Sequence, residues 1–385
     1  MNVDWSTLGA IVENLNSKRI PLKKSDREKR DGEFPYYGAS GIIDQVDDYI
    51  FDGEYLLIGE DGANLLARST PIAFLAKGKF WVNNHAHVLG FNGKADLKFL
   101  AGYINSIDLT PYVTGSAQPK LNKNNLDKIR LPLPPLEEQK RIAAILDKAD
   151  SLRRKREKAI ALTDDLLRSV FLDMFGDPVT NPKGWETANV DKLCHKITDG
   201  THHSPEPQDK GVPYITAKHL KPNKLDFYSK PTFVSQEAHE GIYSRCNPEK
   251  SDVLYIKDGA TTGAAAINPY DFEFSMLSSL ALIKTNTKYL TSEYLCDWLN
   301  FDGNKSRILQ NMSGAAITRL TIRKIKDLMV ELPPIGKQLE YKNVRIQILE
   351  THANLCKSTN CNNDLFSALT QRAFRGELTS QKEAI

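Results

Sequence analysis

The chain has 385 residues, with 51 Lys and Arg against 48 Asp and Glu and a formal net charge of +3. That balance excludes an undifferentiated polycation, so any nucleic-acid surface must come from local clustering of cations. The 41% hydrophobic share supports real cores, and the length favours two domains over one. Five scattered cysteines (Cys194, Cys246, Cys296, Cys356, Cys361) form no CxxC pair and argue for a reducing, cytoplasmic setting. The N-terminus shows no basic-then-apolar leader, and no apolar run approaches membrane-spanning length.

In chain order, residues 1–134 predict a first unit. Trp5 to Val12 reads as an entry strand or turn. Lys18, Arg19, Lys23, Lys24, Arg27, Lys29 and Arg30 then crowd seven cations into thirteen residues, a solvated loop or a phosphate-binding one. Strand-like segments follow at Phe34–Gly38, Tyr55–Ile58, Pro71–Leu75 and Phe80–Val82, with Asn83-Asn84-His85-Ala86-His87 breaking the last before Val88-Leu89. Residues from Asp96 to about Ser106 read as a helix.

A polar, basic approach (Lys120, Asn122, Lys123), a short apolar run and Pro134-Pro135 lead into about forty residues without proline or glycine, a long helix over 135–176. Glu137 and Glu138 suit its first turn, and Gly176-Asp177-Pro178 stops it. Displaced by 199 positions the pattern returns: Gly115/Gly314, Leu121/Leu320, Pro134/Pro333, Pro135/Pro334, Gln139/Gln338, Asp165/Asp364, Leu166/Leu365 and Phe175/Phe374. A period this long means duplicated domains, with the second unit over 184–333 and a second helix over 334–376. In the second unit Pro213-Tyr214-Ile215 answers Pro35-Tyr36-Tyr37, and Asp258-Gly259-Ala260 after Val253–Ile256 answers Asp61-Gly62-Ala63. The first helix carries the stripe Ile142, Ile145, Ala149, Leu152, Ala159, Leu166, Val170, interrupted by Arg156 and Thr163. The second carries Tyr341, Val344, Ile348, Leu355, Leu365, Leu369, interrupted by Ser358 and Asn362. Two such helices most economically bury their stripes against each other as an antiparallel coiled coil. The expected class is α+β: two duplicated domains and two long helices, related by a pseudo-twofold axis.

No convincing catalytic set is present. There is no GxxxxGK[ST] phosphate loop. Asn268-Pro269-Tyr270 resembles an adenine-methylase tetrapeptide but lacks one proline and any preceding glycine-rich loop, so it reads as a turn. His85 with His87, and His202 with His203, have no acidic or cysteine partner at ligand spacing, which leaves solvent-facing or base-reading histidines and no metal site. Asp252, Glu249 and Lys257 could be forced into a nuclease pattern, but any charged chain of this length supplies one by chance.

The duplicated Leu131-Pro132-Leu133-Pro134-Pro135-Leu136-Glu137-Glu138-Gln139-Lys140-Arg141-Ile142, with Leu166-Leu167, Phe175-Gly176 and the tail Ala373–Leu378, resembles the specificity subunit of type I restriction-modification systems over the whole chain. The resemblance implies a non-catalytic, cytoplasmic DNA-binding subunit. Target-recognition domains at 1–134 and 184–333 would each read half of a bipartite site, and the helices would set the spacer. Two modification subunits would dock, and restriction subunits would join them. It implies no cofactor in this chain, with S-adenosylmethionine, ATP and Mg acting in the partner subunits. The DNA-contacting candidates are Lys18, Arg19, Lys23, Lys24, His85, Lys120, Asn122 and Lys123 in the first half, and His202, His203, Lys257, Thr318, Arg319 and Arg323 in the second. Glu137, Glu138, Gln139 and Gln338 are the docking candidates; the second copy, Pro333-Pro334-Ile335-Gly336-Lys337-Gln338, lacks the Glu-Glu pair. A stand-alone DNA nuclease or methyltransferase with duplicated domains is the alternative, and a scaffold that binds only proteins a third reading. A bound cofactor or activity in the isolated chain would favour the former, and loss of DNA affinity in the complete complex the latter.

Overall fold

The structure, a computed structural model, describes residues 4–115, 117–310, 319–375 and 377; for 358–364 it describes the backbone only. The chain divides into two compact units, Met1–Lys158 with Lys357–Ile385, and Ala159–Cys356. Each unit takes half of both long helices, whereas the sequence boundaries set helices apart from domains. Burial explains why: Ile142, Ala143, Leu146 and Ala373 belong to the first core, and Phe171, Phe175, Tyr341 and Ile348 to the second.

The first unit is built on a six-stranded sheet ordered Val12–Asn14, Ala86–Phe91, Phe51–Gly59, Ala73–Val82, Phe34–Gly38, Gly41–Val46. All neighbours are antiparallel except Phe34–Gly38, which runs parallel to Ala73–Val82 with Tyr36 opposite Trp81. The segments expected as separate strands at Pro71–Leu75 and Phe80–Val82 form one strand. Gly78, at φ +74°, turns the chain inside it without ending the pairing. Between Trp5–Thr7 and Val12–Asn14 the entry segment forms a short helix, Leu8–Ile11.

The second unit repeats the first four positions of that sheet: Cys194–Asp199, Leu280–Thr285, Val253–Ile256, Ala265–Ile267. Val212–Ile215 answers Phe34–Gly38, as its sequence indicates, since Tyr214 pairs in parallel with Ser275. The helices Leu97–Ser106 and Ser292–Asn300 start on side-chain caps from Asp96 and Thr291. Asn268-Pro269-Tyr270 is a turn, with the Asn268 side chain accepting from the Tyr270 amide.

The long helices span Leu136–Phe175 and Ile335–Phe374, 40 residues each. In the first, the positions along the seam are Ile142, Leu146, Ala149, Arg153, Arg156, Ile160, Thr163, Leu167, Val170 and Met174, with Ala143, Phe171 and Phe175 buried beside it. In the second they are Gln338, Tyr341, Arg345, Ile348, His352 and Leu355, then Phe366, Leu369 and Ala373. Alternating steps of three and four are the heptad of a coiled coil. The helices run antiparallel within each unit. In the first, Ile142 and Leu146 share a core with Ala373 while Arg153 lies over the Phe366 ring; in the second, Phe171 and Phe175 meet Tyr341 while Asp164 meets His352. Leu152, Leu166 and Leu365, expected in the stripes, are instead about half exposed. Following apolar identity drifts one position off the seam, because Arg153 occupies it with its aliphatic stem while its guanidinium pairs with Asp150.

Candidate nucleic-acid interface

Each unit closes its sheet in the same way. In the first, the strand Phe51–Gly59 runs into Glu60-Asp61-Gly62. The Glu60 amide donates to the His85 carbonyl at 2.8 Å, the Leu121 amide donates to the Glu60 carbonyl at 2.8 Å, and Asp61 and Lys120 form an antiparallel bridge. In the second, the Lys257 amide donates to the Ser279 carbonyl at 2.9 Å, the Leu320 amide donates to the Lys257 carbonyl at 2.9 Å, and Asp258 bridges Arg319. Leu121 and Leu320 are buried anchors, and Gly62 and Gly259 adopt φ of +107° and +104°, a turn open to glycine. The loop that approaches each long helix is thereby stitched to a strand end, and Lys120 and Arg319 are carried to corresponding surface positions.

The charges at this junction are inverted between the units. Glu60 receives Arg19 at 2.7 Å and Lys120 at 3.3 Å, with His87 at 3.7 Å. Burial raises the Glu60 pKa, but the Arg19, His87 and Lys120 contacts outweigh it and hold the carboxyl below its ordinary value. Lys257, in the corresponding place, is paired with Asp258 at 2.9 Å and Asp199 at 3.5 Å. Asp199 also meets Arg245 at 3.3 Å and His202 at 3.4 Å, and Arg319 pairs with Asp258 at 3.1 Å.

Several sequence candidates are spent inside this framework. Lys257 was expected on a loop surface; its side chain is 4% exposed, and two carboxylates consume its charge. Arg19 is largely buried and donates to Glu60 and to the Ala86 carbonyl. Asn122 caps the helix Lys123–Asp127 by accepting from the Asn125 amide, a role Thr321 plays before Ile322–Lys326. His85 is half exposed with Nδ1 on Asp61 at 2.8 Å. His87 is buried: Nε2 reaches the Leu121 carbonyl at 2.7 Å and Nδ1 the Asn16 amide group at 2.8 Å. Nε2 therefore carries the proton, and burial holds the imidazole pKa below its ordinary value.

Lys18, Lys23, Lys24, Lys120, Lys123, Arg319 and Arg323 are exposed and carry the positive surface, and His202 and His203 are exposed as well. Within the basic run, Arg27 pairs with Asp44 and lies over Tyr36, and Arg30 pairs with Asp47 and lies over Trp81. The arginines fasten the run to the sheet, and its lysines point outward. Lys18 and His202 both follow the strand at the same edge of the repeated sheet. Thr318 lies outside the described residues. Asp252 and Glu249 share Lys284 at 2.9 and 3.0 Å while Lys257 pairs with Asp258 and Asp199, so the nuclease-like trio is not assembled. Among the described residues no group of three or more His, Cys, Asp and Glu side chains could hold a metal ion, and no helix is long and apolar enough to cross a membrane.

The docking candidates separate. Gln139 is fully buried: it accepts from the Asp96 amide at 2.8 Å and donates to the Lys94 and Pro134 carbonyls. Gln338 repeats this on the Thr291 amide at 2.9 Å and the Tyr289 and Pro333 carbonyls. Neither can dock a partner; both lock the start of a long helix to the start of the helix beside it. Glu137 is exposed and pairs with Lys140, and half-buried Glu138 pairs with Arg141. Sequence reading missed Glu60, Asp199 and Arg245, because the partners lie 41 to 46 residues apart in sequence. The acidic residue beside Asp61-Gly62 was the only local signal, and Asp199 and Arg245 have none.

The family described as Type I restriction modification DNA specificity domain matches residues 2–162 and again 182–361. A provisionally named type I restriction enzyme specificity subunit of Haemophilus influenzae is 28% identical over 349 residues, covering 87% of this chain and 85% of the relative. The EcoBI specificity subunit of Escherichia coli is 26% identical over 319 residues, covering 74% and 65%. The crystal structure of a type I restriction-modification S subunit from M. genitalium shares the fold with a TM-score of 0.67 at 14% identity, covering 97% of this chain and 96% of that one. With two matched recognition domains on one repeated framework, the chain belongs to the family of DNA sequence-specificity subunits of type I restriction-modification systems.

Proposed function

We propose that each unit reads one half of a bipartite DNA target, that the paired helices fix the unread spacer, and that two modification subunits dock on the chain, with restriction subunits joining them. The observation that carries this is the repeated junction: one framework, present twice, presents Lys120 and Arg319 at matching positions beside surfaces that differ between the copies. In this reading the chain is non-catalytic and acts in the cytoplasm, S-adenosylmethionine, ATP and Mg are used by the partner subunits, and Glu137 with Glu138 contributes to docking. Its test is the methylated motif made in cells by the assembled complex. Seven residues inserted after Lys158 and seven after Cys356 keep the heptad and lengthen each helix by about 10 Å. At about 3.4 Å per base pair the spacer should grow by roughly three base pairs with both half-sites unchanged. An unchanged spacer in a complex that still methylates would show that the helices are not the ruler.

A further inference from the structure

The two units share a framework and differ in what they hang on it, and the largest difference lies between Asp199 and Val253. There the second unit inserts residues 216–252, with the helix Gln236–Tyr243, where the first unit has only a short hairpin before Phe51–Gly59; its loop 200–211 stands where the first unit carries the basic run of residues 15–33. A ligand common to both units would be met by what they share. A half-site peculiar to the second must be met by what it alone carries.

Between that loop and the insertion lies an open cleft of about 520 Å³, walled by Thr201, His203 and Ser204 of the loop and by Glu237, Gly241 and Arg245 of the insertion. Arg245 is built into it. One terminal nitrogen pairs with Asp199 at 3.3 Å, the other donates to the Gly200 carbonyl, and the side chain remains half exposed. Asp199 is buried and is itself braced by Lys257. A guanidinium fixed by a buried carboxylate and a backbone carbonyl has lost the freedom of a surface arginine, yet each bond uses one of its five N–H groups. The fork is pre-oriented, with donors to spare on the cleft side, and the line from Lys257 through Asp199 ties its position to the strand end shared by both units. A fixed planar fork suits the paired O6 and N7 acceptors of guanine in the major groove.

We propose that Arg245 is a specificity-determining residue of the second unit, reading a guanine of the second half-site, with Asp199 as its positioning residue. This rests on the reading of the chain as a DNA-specificity subunit. A phosphate contact from the same residue would weaken all sequences alike; a base contact relaxes one position.

The experiment is sequencing of methylated adenines in cells that express the complete complex with the wild-type chain, Arg245→Ala, Arg245→Lys or Glu240→Gln. A wild-type chain that yields no bipartite motif overturns the function proposed above, whatever the variants do. Given a bipartite motif, Arg245→Ala should lose discrimination at one guanine of the half-site read by residues 184–333, by on the order of ten- to a hundredfold. The other half-site and the spacer should stay unchanged. Arg245→Lys should relax the same position, since an ammonium cannot make the paired contact, while keeping the fold of the loop. Glu240→Gln, exposed on the helix Gln236–Tyr243 but outside the cleft lining, should leave that guanine read as before. Methylation retained with an unaltered second half-site in both Arg245 variants overturns the inference, as does an equal loss over every position. If Arg245→Ala abolishes methylation, the lysine variant decides alone.

Discussion

Replacing Gln338 by leucine tests whether this side chain is an internal lock or a docking contact. The amide is fully buried and makes three bonds, accepting from the Thr291 amide and donating to the carbonyls of Tyr289 and Pro333. Leucine fills nearly the same space but satisfies none of them. The carbonyls keep other acceptor capacity, but the Thr291 N–H, in a residue only 3% exposed, loses the acceptor it has here. A stranded buried donor costs about 1–3 kcal/mol, and the lost donations add to it, so we expect about 2–3 kcal/mol. Thr291 also caps Ser292–Asn300, so the loss should appear locally first. Hydrogen exchange of the isolated chain should then show residues 286–300 opening roughly 30- to 150-fold more readily, at 1.4 kcal/mol per tenfold. Gln139→Leu should do the same to residues 92–105, since its bonds to Asp96, Lys94 and Pro134 are the same three. Exchange within about threefold of the wild type, with weakened assembly, would refute the lock and restore docking.

Arg345→Met should destabilise the second unit by about 3–5 kcal/mol, because it removes the cation that meets the buried Asp297 carboxylate at 2.5 Å and leaves it the neutral Tyr341 hydroxyl. The double variant with Asp297→Leu should recover much of that in urea unfolding, and a loss under about 1 kcal/mol in the single variant would contradict it. For His87 the sign follows from its depressed pKa: as pH falls below about 6.5 the unfolded chain takes up a proton that the folded site refuses, so stability drops. His87→Gln should flatten the dependence of the first unit's unfolding midpoint between pH 7 and 5; an unaltered slope would assign it elsewhere. The Glu60 and Asp44 carboxyls, held low by their cations, lose stability only in the lower window below about pH 4.5. Lys120→Gln and Arg319→Gln should each weaken DNA binding by the assembled methyltransferase evenly across sequences and lower the salt slope by about one. Unchanged affinity would remove both from the interface.

What the sequence determined by itself was whatever recurs or depends on near neighbours. The 199-residue repeat, the Pro-Pro entry to each long helix and the Asp-Gly pairs after the central strands were all legible in the sequence. Heptad register was already less legible, because Arg153 and His352 sit in the seam and only packing shows that their stems, not Leu152 or Leu365, lie there. The fate of individual charges belonged wholly to the tertiary structure. Lys257 and Lys120 are alike in sequence, a cation beside a turn, yet one side chain is 4% exposed between two aspartates and the other 51% exposed. Gln139 and Gln338 looked like surface residues of a repeated motif and proved to be its buried bolts. Electrostatic and hydrogen-bond partners are chosen by proximity in space, and the pairs that decided these sites, Arg19 with Glu60, Asp199 with Arg245, Gln338 with Thr291, are brought together only when strands and loops some forty residues apart close on one another.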